Sequence, residues 1–316
     1  MITRALVTGG AGFIGSTLVD RLVDDGAEVL VVDDLSSGRL ERLARARQAG
    51  DVSFHQVDIR APEMRDVTDR FGPEIVFHLA AQISVPDSVR DPVLDAVVNV
   101  AGSVNVLQAA ADAGAERVVY VSSGGAIYGD TDDLPIAETA SRSPASPYGV
   151  SKSVVEAYLQ YYREQHGLDY AALGPANVYG PRQDAKGEGG VVAVFADRLA
   201  RRERVVINGD GTQTRDFVFV EDVVDAAVRA AQIGGGIFCN VATGVETSVL
   251  ELFEVMRALT GATVAPEFGP ARPGDVRRSA LDPGLAKRQL GWEPWTPLER
   301  GLAATLEWYH AAMRRR

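Results

Sequence analysis

The feature that most constrains the fold is a glycine-rich turn close to the N-terminus. Residues 9–15 have the spacing G-x-x-G-x-x-G, and they lie between an apolar run at 5–7 and a segment with helical periodicity. Strand, glycine turn and helix in this order are typical of a dinucleotide-binding turn. The glycines allow a tight turn and a close approach of the backbone to a pyrophosphate, which the positive N-terminus of the helix attracts.

An acidic pair at the end of the second apolar run indicates which dinucleotide binds. Asp33 and Asp34 follow the run at 29–32, and an acid about 20 residues beyond the glycines accepts hydrogen bonds from the adenosine ribose hydroxyls. A carboxylate there also repels a 2′-phosphate, so the sequence predicts NAD rather than NADP. The alternative is that the two acids only begin a polar turn.

Apolar runs that alternate with helical segments predict a parallel sheet covered on both faces. We expect strands at 3–8, 28–33, 52–57, 74–79, 117–123 and 169–174, and helices at 13–26, 39–49, 63–71, 92–114 and 150–166. After about residue 175 the loops lengthen, and we expect helices at 190–202, 221–233, 248–260, 283–289 and 297–312. The prediction is an α/β protein with a doubly wound parallel Rossmann sheet (1–175) and a smaller C-terminal α/β substrate lobe (176–316), some segments of which return to the main domain.

Composition narrows the classes of function. The net charge of −11 argues against nucleic-acid and anionic-membrane partners, although a local arginine cluster can still bind an anionic substrate. Cys239 is the single cysteine, and the four histidines lack ligand spacing, so we expect no metal site. No N-terminal leader pattern and no run of 18 apolar residues is found, and we expect a cytoplasmic protein.

Tyr148 and Lys152 are the candidate catalytic residues, because side chains at i and i+4 share one helix face. A free tyrosine has a pKa of about 10 and is a poor base at neutral pH. A neighbouring ammonium and the positive nicotinamide would favour the phenolate. Lowering the pKa by about 3 units requires about 4 kcal/mol of differential stabilisation. The alternative is an ordinary amphipathic pair on a surface helix.

Together these motifs identify a resemblance that covers essentially the whole chain. It resembles the extended short-chain dehydrogenase/reductases, and most closely the UDP-glucose 4-epimerase family. Further matching segments are Asp58-Ile59, 78–81, Asn99, 175–182, 215–218 and 272–275. The resemblance implies that NAD contacts Gly9, Gly12, Phe13, Ile14, Asp33, Asp34, Ser37, Gly38, Asp58, Ile59, Leu79, Ala80, Ala81, Asn99, Tyr148, Lys152 and Pro175.

The resemblance also implies a nucleotide-diphosphate clamp in the second half. Arg215 and Arg272 would bind the UDP pyrophosphate, Asn177 a phosphate and Asp275 the uridine ribose, while residues 187–192 resemble the loop that covers the nucleotide. Both arginines could instead pair with nearby acids, Asp216 and Asp275. The remaining substrate candidates are Gln82, Ser123, Val192, Asn208 and Ser279.

Two positions depart from the family pattern. The usual catalytic Ser or Thr, four residues before Tyr128, is Gly124; Ser123 is the first candidate to replace it and Ser122 the second. The position that often carries an aromatic residue against uracil is Asn208. Related dehydratases and decarboxylases carry an acid between the hydroxyl residue and Tyr-Gly, whereas residues 125–127 here are Gly-Ala-Ile.

The sequence therefore predicts a UDP-hexose 4-epimerase that oxidises C4, lets the 4-keto sugar rotate and reduces it again. By the resemblance, Ser279 occupies the family position that limits bulk near the 2-substituent of the sugar, and its small side chain implies that N-acetylated sugars are also accepted. The alternatives are a UDP-glucuronate 4-epimerase in which Arg182 meets the carboxylate, another NAD-dependent nucleotide-sugar oxidoreductase, and a non-catalytic NAD binder. The family resemblance further implies a homodimer through helices near 92–114 and 150–166.

Overall fold

A central parallel sheet organises the chain in the computed structural model, which describes residues 2–185, 190–263, 265–271 and 276–314. The strands are β1 Arg4–Thr8, β2 Glu28–Val32, β3 Val52–His55, β4 Ile75–His78, β5 Arg117–Val121, β6 Asp169–Pro175, β7 Asn177–Tyr179, β8 Val206–Asn208, β9 Thr214–Arg215, β10 Phe217–Phe219, β11 Ile237–Val241, β12 Thr247–Ser248 and β13 Glu267–Gly269. Seven of them form one sheet in the order β11-β6-β5-β4-β1-β2-β3. The predicted doubly wound Rossmann architecture is confirmed.

Helices cover both faces of this sheet and build the second lobe. They are α1 Phe13–Asp24, α2 Ala44–Ala49, α3 Glu63–Phe71, α4 Val85–Arg90, α5 Pro92–Ala96, α6 Gly102–Asp112, α7 Gly124–Ile127, α8 Pro147–His166, α9 Val191–Ala200, α10 Val220–Ile233, α11 Val249–Thr260, α12 Gly284–Leu290 and α13 Leu298–Arg314. A 3₁₀ turn (Leu40–Leu43) precedes α2, so the helix predicted at 39–49 is divided in two.

The main sheet contains one strand that the sequence reading missed. β11 pairs in parallel with β6, and Asn240 lies opposite Gly174. It follows three glycines with positive φ, at positions 234–236, and lies between helices of the second half. Its five residues form too short a run to predict a strand from the sequence. After β7 the chain returns to the main sheet through two elements: α10 packs against α1, and β11 pairs with β6.

Side chains alternate between two cores along the strands, as period-two geometry requires. In β1, Ala5 and Val7 enter one hydrophobic cluster, while Leu6 enters the cluster on the opposite face. A third cluster, around Phe195, Phe253 and other residues of α9, α11 and α13, forms the core of the second lobe. The carboxyl ends of β1, β4, β5 and β6 therefore face the junction of the two lobes.

Helices α5 and α6 form one helical stretch because a π-helical segment, Val97–Ala101, joins them. Among the described residues this stretch, Pro92–Asp112, is long and apolar enough by composition to cross a membrane, with a mean hydropathy of 1.4. In this fold 44% of that window is buried. Part of the remainder is an exposed apolar face beside α8.

Candidate active site

Tyr148 and Lys152 lie in the first turns of α8, beside the carboxyl end of β5. The helix begins earlier than predicted, because Ser146 caps it by accepting a hydrogen bond from Gly149 N (3.2 Å) and Pro147 occupies its first turn. Gly149 permits a close approach to α7: a Cβ added there would lie 2.4 Å from the carbonyl oxygen of Ala126. This contact brings Tyr148 next to Ser123, the residue before α7.

Burial dominates the electrostatics of the pair. It raises the pKa of Tyr148 to about 12, while the hydrogen bond with Ser123 acts in the opposite direction. Burial also lowers the pKa of Lys152 to about 8. The lysine Nζ donates to Val121 O (3.0 Å) and lies 5.9 Å from the centre of the Tyr148 ring. In the protein alone burial therefore raises the pKa of Tyr148. The predicted lowering depends on the nicotinamide charge as well as on Lys152, and it stays a prediction.

The two candidate serines occupy different environments. Ser123 hydrogen-bonds Tyr148, whereas the Ser122 hydroxyl is buried and has no hydrogen-bond partner in the described part of the chain. The departure at Gly124 has a steric cause, because a Cβ there would lie 2.3 Å from Leu281 Cδ1 and 2.6 Å from Gly174 O. The backbone at this position therefore requires glycine, and of the two candidate serines it is Ser123 that contacts Tyr148.

The glycine turn forms a tightly packed cradle in which side chains larger than hydrogen would collide with neighbouring backbone. Gly9 has φ +68°, and a Cβ added to it would lie 2.8 Å from Ala80 N. A Cβ on Gly15 would lie 2.1 Å from Gly9 O. Gly12 ends the turn as the residue before α1, and Phe13 and Ile14 begin that helix. The backbone amides at the start of α1 thus remain open to a pyrophosphate.

The two acids after β2 have different roles in the structure. Asp33 is buried, and its carboxylate accepts hydrogen bonds from Ala11 N (2.9 Å) and Leu35 N (2.8 Å). Asp34 is exposed and caps the local turn through Ser36. A Cβ on Gly38 would lie 2.5 Å from Asp33 Oδ1, so the loop containing Ser37 and Gly38 passes directly over this carboxylate. Asp33 is therefore the acid that is built into the cradle, and its contact with the adenosine ribose stays a prediction.

Other predicted cofactor residues surround the same sheet edge. Asp58 pairs with Arg60, and Ile59 is buried and would contact a Cβ on Gly102. The amides of Leu79 and Ala80 donate to Thr8 Oγ1, each at 3.2 Å. Ala81 follows them in the same segment, and Pro175 ends β6. These residues fit an extended dinucleotide across the carboxyl ends of the strands.

Several substrate candidates lie near the catalytic segment. The Asn177 side chain faces α7, since a Cβ on Gly125 would be 3.8 Å from Asn177 Oδ1. Ser279 is buried two residues before Leu281, the side chain that packs against Gly124. Asn177 therefore lies beside α7, and Ser279 lies on the segment that leads to the Gly124 contact; their contacts with the sugar stay a prediction.

Other substrate candidates are engaged in interactions of their own. The Gln82 amide donates to Asp95 (2.9 Å) and to Ser84 O (3.0 Å), and its oxygen accepts from Ser84 N. Val192 is buried in the core of the second lobe, so at the start of α9 only its backbone amide is available. Asn208 ends β8, and its carbonyl accepts from Gln213.

Arg215 and its neighbour are held by separate contacts. Arg215 donates to Thr214 O (2.7 Å). Asp216 is fully buried and binds Thr243, Gly244 N and Leu281 N. The carboxylate of Asp216 thus serves as a structural anchor. Arg272 and Asp275, and residues 186–189 of the predicted covering loop, lie outside the described residues.

Sequence reasoning missed a buried polar network below the site. Thr8 Oγ1 contacts His78 Nδ1 (2.7 Å), His78 Nε2 contacts Ser103 Oγ (2.8 Å), and Ser103 donates to Asn99 O (2.5 Å). Because Thr8 Oγ1 already accepts two amides, its proton goes to Nδ1, and His78 carries its own proton on Nε2. Burial lowers the pKa of His78 to about 3.

The network continues from Asn99 to the catalytic helix. Asn99 exchanges hydrogen bonds with the backbone of Gln82 and donates to Asp95 (3.0 Å), which also accepts from Ser151 Oγ (2.6 Å). Asp95, Asn99 and Ser103 recur every four positions in a mostly apolar helical stretch, and this spacing was the available signal. Among the described residues no group of His, Cys, Asp or Glu side chains could hold a metal ion.

Comparison with known proteins agrees with this geometry. The family model for the NAD dependent epimerase/dehydratase family matches residues 5–241. The chain belongs to this family. It is 51% identical over 307 residues to a UDP-glucose 4-epimerase of Mycolicibacterium smegmatis, covering 97% of this chain and 98% of the relative.

Two solved structures extend the comparison. A UDP-glucose 4-epimerase from Thermotoga maritima with UDP-glucose is 45% identical, with a TM-score of 0.95 and coverage of 98% of this chain and 100% of that one. A UDP-N-acetylglucosamine 4-epimerase from Methanobrevibacter ruminantium, in complex with UDP-N-acetylmuramic acid, is 32% identical with a TM-score of 0.94 and 99% coverage of both chains.

The structure also bears on the acidic-sugar alternative. Arg182 donates to Ser16 O (3.0 Å) and to Asp20 Oδ2 (2.5 Å). Its guanidinium thus ties the segment after β7 to α1. The arginine on which a sugar carboxylate would depend is therefore committed to a contact between the lobes.

Proposed function

We propose that this protein is an NAD-dependent UDP-hexose 4-epimerase, an isomerase that interconverts UDP-galactose and UDP-glucose. The main supporting observation is that Ser123, Tyr148 and Lys152 lie together beside α7. The residues of α7 themselves have no titratable side chain. The relatives described above carry the names of UDP-sugar 4-epimerases. The glycine cradle and the Asp33 carboxylate fit NAD, as the family membership requires.

The residues of the site have separate roles in binding and in proton transfer. Bound NAD would supply the hydride acceptor for oxidation at C4 of the sugar and the hydride donor for the reduction from the other face. Tyr148 takes the proton of the C4 hydroxyl and later gives it back, and Ser123 hydrogen-bonds the same oxygen. Lys152, with a pKa of about 8, is largely protonated at neutral pH and supports the phenolate.

The α7 segment favours epimerisation over elimination or decarboxylation. Elimination at a 4-keto sugar requires an acid or base beside the ring, and residues 124–127 offer none. A Cβ at Gly125 would meet nothing closer than 3.8 Å, so space remains in front of Asn177. We infer that this space lets the 4-keto sugar turn while the clamp residues hold the diphosphate.

The same site is proposed to accept N-acetylated sugars. Ser279 is buried on the segment that leads to Leu281, and its small side chain leaves room for a 2-substituent. A relative with the same fold acts on UDP-N-acetylglucosamine, as its name states. Replacing Ser279 with Tyr fills this room, and we expect it to reduce turnover of the acetylated pair more than that of the plain pair.

We propose a homodimer through the exposed apolar face of α5, the π segment and α8. Val93, Val97, Val154 and Tyr158 are between 38% and 72% exposed on neighbouring helices, and contiguous apolar patches of this kind mark protein interfaces. A two-fold axis would bury the same face of each copy.

The remaining expectations concern organisation and location. We propose a cofactor domain at 1–175 and a nucleotide-sugar lobe at 176–316, from which β11 and α10 return to the main sheet. A cytoplasmic location stays a prediction. UDP-sugar is the proposed partner, and we propose no nucleic-acid or membrane partner.

Incubation with single sugars tests the function. The purified protein, without added NAD, receives UDP-galactose, UDP-N-acetylgalactosamine or UDP-galacturonate, and the products are separated by chromatography. We expect C4 epimers of the two neutral sugars and none of the acidic one. Conversion of the acidic sugar alone would establish the glucuronate alternative. In a parallel reaction with NAD added, stoichiometric reduction of that NAD would indicate a net oxidoreductase.

A further inference from the structure

Asp95 is a fully buried carboxylate on α5 without an ion-pair partner in the part of the chain that the structure describes. Its three hydrogen-bond donors are neutral: Gln82 Nε2 (2.9 Å), Asn99 Nδ2 (3.0 Å) and Ser151 Oγ (2.6 Å). Burying a charge without a direct ion pair is costly, and the cost calls for a role beyond packing.

The contacts of Asp95 lead directly to the catalytic helix. Ser151 is the residue immediately before Lys152, and its hydroxyl donates to Asp95 Oδ2. Helices α5 and α8 pack against each other along this contact. On its other side Asp95 holds Gln82 and Asn99, which fix the segment after β4 that lines the cofactor cradle. One carboxylate thus ties the cradle to the helix that carries Tyr148.

We propose that Asp95 is a positioning residue for the epimerase reaction, the buried counter-charge that fixes α8 at Ser151 and balances the Tyr148–Lys152 pair. This inference rests on the proposed function. A reversible epimerase needs a tyrosine that can both take and return a proton. Two cations, Lys152 and the nicotinamide, favour the phenolate and so lower the pKa of Tyr148. The negative charge of Asp95 opposes this lowering, and it also favours the protonated form of Lys152.

The charges around the pair support this assignment. The charge of Asp95 raises the pKa of Tyr148 and that of Lys152, and among the described residues no other carboxylate acts on both. His78, the last residue of β4, carries no charge at neutral pH because its pKa is about 3. From β5, Tyr120 faces Lys152, whose Nζ lies 5.0 Å from its ring centre.

The other charges near α8 are paired with each other. Glu156, one turn after Lys152, pairs with Arg142 at 3.2 Å, and burial raises the pKa of Glu156. From α4, Asp87 and Arg90 form an exposed pair. Glu156 is therefore a matched control: it is a half-buried carboxylate on α8, the helix of Tyr148 and Lys152, and its charge already has a partner.

The Asp95→Asn variant tests the charge with little loss of structure. The amide oxygen can still accept from Gln82 and Asn99, and the amide NH₂ can donate to Ser151 Oγ. The ionisation of Tyr148 is followed by the ultraviolet absorption of phenolate in the purified protein, after subtraction of a Tyr148→Phe reference. We expect Asp95→Asn to lower the Tyr148 midpoint by about one pH unit, and Glu156→Gln to leave it unchanged.

The pH profile of kcat gives a second readout. In Asp95→Asn the alkaline limb, set by loss of the Lys152 proton, should also move to lower pH. Asp95→Ser is a second charge-free variant if the amide does not fold. A uniform loss of turnover with unchanged midpoints would overturn the proposal, because it would indicate packing alone. If the wild-type protein lacks epimerase activity while the Tyr148 midpoint still shifts, the proposed function fails and the charge coupling stands.

Discussion

The contact between Gly124 and β6 provides the sharpest steric prediction. In Gly124→Ala the new Cβ would lie 2.3 Å from Leu281 Cδ1 and 2.6 Å from Gly174 O, whereas carbon atoms normally touch at about 3.5–4.0 Å. Leu281 is fully buried and Gly174 O belongs to a strand, so neither can move away cheaply. Gly125→Ala is the matched control in the same helix, because its Cβ meets nothing nearer than 3.8 Å.

The magnitude follows from the difference between the two variants. Both gain about 1 kcal/mol from the higher helix propensity of alanine, and this gain cancels in the comparison. Overpacking of a tight site costs about 1–3 kcal/mol, and the close backbone contact at Gly124 places it at the upper end. We expect Gly124→Ala to be about 3 kcal/mol less stable than Gly125→Ala, with about 100-fold lower turnover because Ser123 is displaced.

Urea unfolding followed by tryptophan fluorescence measures the stability difference, and the rate of UDP-galactose conversion measures turnover. The chain has three tryptophans, and Trp292 is fully buried, so unfolding changes the signal. Equal unfolding midpoints for the two variants would refute the steric account of the missing serine. A Gly124→Ser variant with raised activity would refute it as well.

Three further predictions use the same protein. Ser123→Ala should lower kcat by about 100-fold, whereas Ser122→Ala should lower it by less than about tenfold; equal losses in steady-state assays would reject the assignment of Ser123. His78 binds a proton in the unfolded chain below about pH 6.5 but in the folded protein only near pH 3, so stability should fall as the pH drops, by up to about 1.4 kcal/mol per unit. In His78→Gln this part of the slope of urea stability against pH should be absent, and an unchanged slope would contradict the burial argument. Tyr158→Glu places a charge in the proposed interface and should yield a monomer in light scattering, with Glu156→Gln as a control that stays dimeric; a dimeric Tyr158→Glu would exclude this face.

Local patterns predicted much of the fold because glycine turns and apolar periodicity are properties of short segments. β11 was not predicted because its position beside β6 depends on a pairing between segments that are distant in the sequence. The early start of α8 was readable in the Ser146–Pro147 sequence, a capping residue followed by proline. It was missed because the apolar period begins only after Tyr148.

The proximity of Tyr148 and Lys152 was predictable from their spacing, whereas the burial that governs their pKa values was not; their catalytic role stays a prediction. The sequence gives no measure of burial, and burial sets the direction of the pKa of Tyr148. The Asp95 contacts could not be derived either, since they join three segments distant in the chain. Sequence spacing indicates which residues are candidates for catalysis, whereas tertiary packing determines the pKa values of their side chains.

The central claim is that C4 of the sugar loses and regains the same hydrogen. UDP-galactose carrying deuterium at C4 is converted by the purified protein in ordinary water, and the deuterium content of the UDP-glucose product is measured by mass spectrometry and NMR. We predict that the deuterium is retained at C4, and that Tyr148→Phe binds the substrate but forms almost no product. Replacement of the deuterium by solvent hydrogen would contradict the proposed chemistry.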